Sequence, residues 1–154
     1  MARDGGIWRA LMRYFQTLYL QWGGSDSAML AFIEEIKPTN PNLAKAMQAD
    51  FYWRRGRDYQ RSNQIDVEIA HHIKAISLSA HSDALTDLGH FYMLQVKCDE
   101  AVELFKRNLK ENDEWDLHSL ESLMQAHDCA SNYWQFGRLK AKRSALFSRY
   151  RAGE

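Results

Sequence analysis

Residues 82–112, SDALTDLGHFYMLQVKCDEAVELFKRNLKEN, decide the fold that this chain is expected to adopt. In the first half, Leu85, Leu88 and Tyr92 recur at i, i+3 and i+7, which places them on one apolar stripe of a helix. In the second half, Phe105 belongs to another apolar face of helical spacing. The stretch therefore predicts two helices, joined by a short turn, that fold back on each other.

Two small residues lie where these helices would meet. Gly89 has no side chain and Ala101 has only a methyl group, so the helices can approach each other closely. A glycine inside a helix costs roughly 0.5–1 kcal/mol relative to alanine, and tight packing should offset that cost. Ser82 is the expected N-cap of the first helix, and Asp99 and Glu100 fall in the first turn of the second, where carboxylates are favoured.

The order and gaps of these residues resemble the tetratricopeptide repeat and its Sel-like relative. The tetratricopeptide pattern is W-x2-L-G-x2-Y, then A-x3-F, then P, over about 34 residues. Leu85 stands here in place of the Trp, and Asp113 in place of the Pro. The alternative is an ordinary helical hairpin with chance spacing, but the filled positions of the pattern favour a repeat. The resemblance implies an all-α, tetratricopeptide-like α-solenoid of about four helical hairpins.

The length of 154 residues suits a single helical-repeat domain, 1–154. Within it we expect N-terminal helices at 7–62, a central repeat region at 65–112 and C-terminal capping helices at 113–154. The 20 basic and 20 acidic residues balance, so bulk charge indicates neither nucleic acid nor an acidic membrane surface as a partner.

The N-terminal segment predicts an amphipathic helix over 7–22, ended by a Gly-Gly pair, with Ser25 or Asp26 as the cap of the next helix. Residues 22–25, Trp-Gly-Gly-Ser, resemble the motif of a bacterial domain family of uncharacterised function that accompanies Sel-like repeats. This resemblance covers about 18–62, and it implies no activity.

A weaker copy of the central hairpin is expected just before it, from helices at 42–59 and 65–78. Gly56 and Tyr59 repeat the Gly and Tyr of the central pattern one period earlier, whereas His72 replaces the Phe. Beyond the central hairpin, two further helices depart from the repeat register, as terminal repeats that cap a stack commonly do.

The two cysteines, Cys98 and Cys129, are far apart and form no CxxC motif, so we expect reduced, buried thiols in a cytoplasmic protein. Arg9 and Arg13 interrupt the first apolar segment, which argues against a secretory signal peptide. No apolar run reaches the 18 residues that a membrane helix requires.

No catalytic constellation is recognisable in the sequence. His71 and His72 point about 100° apart on a helix, and an HExxH motif or a Cys partner is missing. Cys98 lies at a turn without the local signature of a nucleophile, and the Gly-Gly pairs lack the lysine of a phosphate-binding loop. We therefore expect a protein that is not an enzyme, with no catalytic residue, no metal site and no cofactor.

Tetratricopeptide arrays bind their partners on the concave face, which the first helix of each pair lines. Transferring those positions gives two sets that step by 3, 4 and 3 residues and so share a helix face. The predicted partner-binding residues are Asp50, Trp53, Arg57 and Gln60 in the weaker copy, and Asp83, Thr86, His90 and Met93 in the central repeat.

The resemblance implies a protein or peptide partner, and a bacterial toxin-immunity or adaptor protein is a specific version of that function. The alternative is a nucleic-acid-binding protein, because all charges from Arg138 to Arg151 are basic. Balanced overall charge disfavours nucleic acid. The sequence leaves the partner's identity and the oligomeric state open.

Overall fold

The computed structural model describes residues 5–19, 23–112 and 117–152, with side chains described for 6–19, 23–112 and 118–148. Within these ranges the chain is all-α and forms eight helices without a β-strand, as the sequence predicts. In chain order the helices are α1 Gly5–Thr17, α2 Asp26–Ile36, α3 Pro41–Arg61, α4 Ile65–Leu78, α5 Ser82–Leu94, α6 Cys98–Asn112, α7 Leu117–Cys129 and α8 Tyr133–Ala152.

The helices form two compact units, Met1–Ser79 with α1 to α4 and Ala80–Glu154 with α5 to α8. We call them unit 1 and unit 2. Unit 1 has an apolar core cluster in which Phe15 of α1, Ile33 of α2 and Leu43 of α3 are all almost fully buried. The core of unit 2 is centred on α6 and α7, where Phe105 and Leu123 are buried in one cluster.

Both predicted hairpins have a close contact at their glycine. A Cβ atom placed on Gly89 would lie 2.6 Å from Cζ of Phe105, which is closer than carbon atoms can pack. A Cβ atom placed on Gly56 would lie 2.8 Å from the His72 ring. Only glycine lets the ring of the second helix lie against the first, so the predicted close approach is confirmed in α5/α6, and α3/α4 repeats it.

Three hairpin turns also share one backbone conformation. Asn63, Val96 and Ser131, between α3 and α4, α5 and α6, and α7 and α8, have φ angles of 58°, 60° and 56°. The next residue in each turn donates its N–H to a carbonyl five residues earlier, at distances of 3.1, 2.8 and 2.8 Å. This is the left-handed helix ending that satisfies otherwise unpaired carbonyls.

Helix α1 ends at Thr17, so the predicted helix over 7–22 is too long. Leu18 N–H donates to the Phe15 carbonyl at 3.1 Å, a tight turn that ends the helix. Gly23 has a φ of +85°, and a Cβ atom on Gly24 would lie 1.9 Å from the Leu18 carbonyl oxygen, so both glycines are required by the turn.

The cap predictions have mixed outcomes. Ser25 caps α2, since its Oγ accepts a hydrogen bond from the Ala28 N–H at 3.1 Å. Ser82 was the expected cap of α5, but the cap lies one residue earlier, where His81 Nδ1 accepts from the Ala84 N–H at 3.3 Å. Trp22, which ends the predicted helix over 7–22, lies outside the described residues.

The expectation of two separate, reduced thiols is wrong for this structure. Cys98, at the start of α6, and Cys129, at the end of α7, form a disulfide with their Cα atoms 5.5 Å apart. That separation lies within the usual range for disulfides. Sequence spacing gave no signal of it, because the pair is created by the antiparallel packing of α6 and α7.

Helix α8 is less buried than its aromatic spacing suggests. Tyr133 and Trp134, both aromatic, are 68% and 75% exposed. Leu139 packs against the core cluster of unit 2, and Arg143 pairs with Glu121 of α7. The helix is therefore anchored further along, and its first turn presents two aromatic side chains to solvent.

Candidate functional site

Unit 1 contains a cavity of about 490 Å³. Its residues come from the start of the α1–α2 connection, from α2 and from the C-terminal half of α3. Four of them are arginines, and we call this feature the arginine cavity. It is lined by Tyr19, Asp26, Met29, Phe51, Trp53, Arg54, Arg55, Arg57, Asp58 and Arg61.

A buried carboxylate holds one of these arginines in place. Asp50, only 6% exposed, accepts hydrogen bonds from the Tyr19 hydroxyl and, at 3.3 Å, from Arg54 Nε. The guanidinium carbon of Arg54 also lies 3.6 Å from the centre of the Tyr19 ring. Burial, and then the nearby Asp50 carboxylate, raise the pKa of Tyr19, so the hydroxyl stays protonated and continues to donate.

A second arginine, Arg55, forms ion pairs with both aspartates that line the cavity. Arg55 Nε lies 3.3 Å from Asp26 Oδ2, and its Nη1 lies 3.7 Å from Asp58 Oδ2. The Arg55–Asp26 pair connects α3 to α2, whereas the Arg55–Asp58 pair lies within α3; both are partly exposed, so each contributes little to stability. The single positive charge of Arg55 is therefore shared between two carboxylates that line the cavity.

The first set of predicted binding residues lies in and around this cavity. Trp53 and Arg57 line it, and the Arg57 guanidinium carbon is 5.9 Å from the centre of the Trp53 ring. Asp50 is buried beneath it and acts on Arg54. Gln60 is exposed on α3 but is not among the lining residues.

The second set lies in unit 2, and three of its four residues pack toward α6 or the core. Thr86 Oγ1 accepts a hydrogen bond from Asn108 Nδ2 at 3.2 Å, and Met93 is partly buried against the core cluster. The His90 ring centre lies 5.3 Å from that of Phe105, and burial lowers the His90 pKa. Asp83 is exposed at the start of α5. Their part in partner binding stays a prediction.

Sequence reasoning missed Tyr19, Arg54, Arg55 and Arg61 as site residues. The signal for the arginines was present in the run WRRGRDYQR at 53–61, where four arginines fall within nine residues. Tyr19 had no such signal, since it approaches α3 only through the tertiary fold.

No group of three or more His, Cys, Asp or Glu side chains in the described part of the chain lies close enough together to hold a metal ion. None of the described helices is long and apolar enough to cross a membrane.

Among solved structures, the chain is similar to the crystal structure of MamA protein. The two share 16% sequence identity over 96% of this chain and 78% of that chain, with a TM-score of 0.57. At this identity the likeness shows the fold alone, and that fold is the all-α, tetratricopeptide-like architecture that the sequence predicts.

No protein-family model matches the chain, and no curated protein matches it in sequence. The resemblance of the N-terminal segment to the Trp-Gly-Gly-Ser family therefore gains no support. The structure explains that motif locally, because Gly23 and Gly24 form the turn and Ser25 caps α2.

Proposed function

We propose that this chain is a non-enzymatic module that binds a protein or peptide partner, and that the arginine cavity is part of the binding site. The observation that carries the proposal is the cavity itself, which places Trp53 beside Arg54 and Arg57 on an accessible concave surface. Tryptophan and arginine are enriched among the residues that dominate binding energy at protein interfaces.

The cavity is suited to binding because part of it is pre-organised. Arg54 is held by a hydrogen bond to Asp50 and by stacking on Tyr19, so little side-chain entropy is lost when it meets a ligand. Met29 and Phe51 supply apolar surface beside the charged groups. A ligand pocket commonly combines such apolar lining with a few fixed polar groups.

The test is capture of partners from the native host by the tagged, full-length chain, with identification by mass spectrometry. Arg57→Glu should reduce capture about thirtyfold, which corresponds to about 2 kcal/mol, because a central arginine would be replaced by a repelling carboxylate. The melting temperature should move little, since Arg57 is exposed.

Lys106→Glu and Lys110→Glu are matched controls, because both residues are exposed on α6 and neither lines the cavity. They should leave capture unchanged. If these two variants abolish capture while Arg57→Glu leaves it intact, the binding site is not the arginine cavity.

Two finer statements belong to this proposal. The residues predicted in unit 2, Asp83, Thr86, His90 and Met93, form a second predicted set, and their substitution should weaken capture if they bind a partner. A bacterial toxin-immunity role would require a secreted toxin as that partner, and a toxin gene beside the gene for this chain would favour it.

A second candidate is nucleic-acid binding through α8, favoured by the exposure of Tyr133 and Trp134 on a basic helix. Exposed aromatic rings beside cations can stack on single-stranded bases. Arg138 and Lys140 are exposed nearby, whereas the side chains of Arg149 and Arg151 lie outside the described residues. This candidate requires binding that weakens with salt and is lost when the α8 cations are replaced.

The cytoplasmic location that the sequence suggests is opposed by the Cys98–Cys129 disulfide, since disulfides are typical of oxidising compartments. Alkylation of free thiols in freshly lysed native cells, followed by mass spectrometry, decides between the two. Alkylated Cys98 and Cys129 support the cytoplasm, and an intact disulfide supports an oxidising compartment.

A further inference from the structure

We propose that the arginine cavity recognises an acidic peptide segment, with Arg54 binding a carboxylate and with Tyr19 and Asp50 as the residues that position Arg54. This inference rests on the proposed function and names the chemistry of the partner. It follows from three features of the cavity: the hydrogen bonding of Arg54, the state of the neighbouring carboxylates, and the apolar residues beside them.

The first feature is the hydrogen bonding of Arg54. A guanidinium carries five N–H donors; Arg54 Nε is engaged by Asp50, and the guanidinium also makes a hydrogen bond to Tyr19. The remaining donors belong to a guanidinium that lines the cavity, and the Arg54 side chain is only 31% exposed. A partly desolvated, fixed pair of Nη groups matches the two oxygens of a carboxylate.

The second feature is the state of the carboxylates around the cavity. Asp26 and Asp58 both pair with Arg55, and Asp50 pairs with Arg54 from beneath. Counting these three aspartates against the four arginines leaves one net positive charge. Because each carboxylate is already satisfied, a ligand's carboxylate meets Arg54, Arg57 and Arg61 without an unpaired acidic group beside them.

The third feature separates a peptide from a simple anion. The Trp53 ring, Met29 and Phe51 border the same space as the arginines. A volume of about 490 Å³ falls within the range of ligand pockets and accommodates more than one side chain. The surface therefore suits an acidic side chain followed by an apolar one, which is the chemistry of an acidic peptide.

Tyr19 and Asp50 act indirectly in this proposal. Asp50 fixes Nε of Arg54, and the Tyr19 hydroxyl fixes Asp50, while the Tyr19 ring supports the guanidinium from one face. Losing either hydrogen bond would let Arg54 rotate, so its Nη groups would no longer be held toward the cavity. The preference for a charged over an uncharged peptide should then fall more than the affinity for the uncharged peptide.

The experiment measures fluorescence anisotropy of the full-length chain with two labelled octapeptides. In one, glutamates flank a single leucine; in the other, glutamines replace the glutamates. The wild-type chain should bind the glutamate peptide at least about tenfold more tightly than the glutamine peptide, as expected for charge-assisted hydrogen bonds. An RNA octanucleotide of mixed sequence is the third probe.

Arg54→Gln should weaken binding of the glutamate peptide about thirtyfold and leave the glutamine peptide nearly unaffected. Arg54→Lys keeps the charge and protects the fold, and it should retain part of the affinity. Tyr19→Phe should lower the ratio between the two peptides, whereas a merely structural role would weaken both equally. Arg13→Gln, on the exposed face of α1 outside the cavity, is the matched control and should change nothing.

Equal binding of both peptides, or binding of neither, overturns the acidic-peptide inference. Tighter binding of the RNA than of the glutamate peptide, with both weakened by Arg54→Gln, also overturns it, because the cavity would then recognise a polyanion and not a peptide. The proposed function is judged separately by capture from the native host: Arg57-sensitive capture together with failure of the glutamate peptide would leave a cavity that binds a partner of another chemistry.

Discussion

The α3/α4 and α5/α6 hairpins have similar local geometry and different chemistry. Gly56 precedes Gly89 by 33 residues, and His72 precedes Phe105 by the same 33 residues. In each hairpin the glycine of the first helix lies against the ring of the second. In one hairpin that ring is apolar, and in the other it is a fully buried imidazole.

The neighbouring positions differ in the same way. Glu68 occupies the position of Ala101 one period earlier, and both are fully buried. Helix α4 therefore places a carboxyl and an imidazole, one helical turn apart, where α6 places two apolar groups. The comparison indicates that the glycine contact and the turn define the repeat, while the polarity of the packed ring can change.

The largest effect is expected from Phe105→Ala. It removes a side chain that is 1% exposed, so the free energy of unfolding should fall by roughly 3–5 kcal/mol through lost burial and a cavity. Guanidinium denaturation followed by circular dichroism measures it. Leu94→Ala, at an 82% exposed position on α5, is the control and should have little effect. An unchanged midpoint for Phe105→Ala would mean that the α5/α6 contact is wrong.

Reduction of the disulfide should have a similar or slightly smaller effect, confined to unit 2. The bond closes a loop with a sequence separation of 31, and chain entropy predicts a loss of about 3–4 kcal/mol when it opens. Denaturation with and without a thiol reductant measures this difference. The Cys98→Ser, Cys129→Ser double variant should be insensitive to the reductant, and insensitivity of the wild type would contradict the cross-link.

The comparison between the hairpins can be tested by converting one into the other. The double variant Glu68→Ala, His72→Phe gives α4 the residues of α6 and should raise the free energy of unfolding by about 1–3 kcal/mol, because apolar replacement of buried polar groups is often stabilising. His72→Ala alone should lower the free energy of unfolding, since it creates a cavity and keeps the buried carboxyl of Glu68. A destabilised double variant would show that polar chemistry is needed in unit 1.

The smallest effect is expected at the turns. Val96 is β-branched at a φ of 60°, where Asn63 occupies the matching position at 58°. Left-handed backbone is costly for branched residues and tolerated by asparagine, and Val96 is 81% exposed, so it gains little from packing. Val96→Asn should stabilise by about 0.5–1 kcal/mol, and Asn63→Val should destabilise similarly. Melting temperatures measure both. A destabilising Val96→Asn together with a stabilising Asn63→Val would refute a shared turn.

Much of this fold could be predicted because its signals are local. The stripe of Leu85, Leu88 and Tyr92 and the small residue Gly89 were sufficient for the central hairpin, and α4 was predicted with both ends correct. The end of α1 was missed, because the apolar spacing continues past Thr17 while the backbone turns.

The candidate site was only partly predictable, since it depends on contacts between distant residues. Trp53 and Arg57 were found by their place in a repeat pattern. The pairing of Tyr19 with Asp50, 31 residues away, exists only once α1 and α3 are packed together. The disulfide likewise exists only once α6 and α7 are packed together. The exposure of Tyr133 and Trp134 was also not predictable, because it depends on how much of α8 the rest of the fold covers.

The cross-link between Cys98 and Cys129 also has a mechanical consequence. It closes α6 and α7 into a covalent ring, so force applied to the chain on either side of the ring is transmitted through the sulfur atoms. The enclosed segment, with a sequence separation of 31, could otherwise extend to about 100 Å. A chain stretched from its ends would therefore be shorter by about that length while the disulfide is intact. It would reach its full extension only after a thiol had reduced the bond.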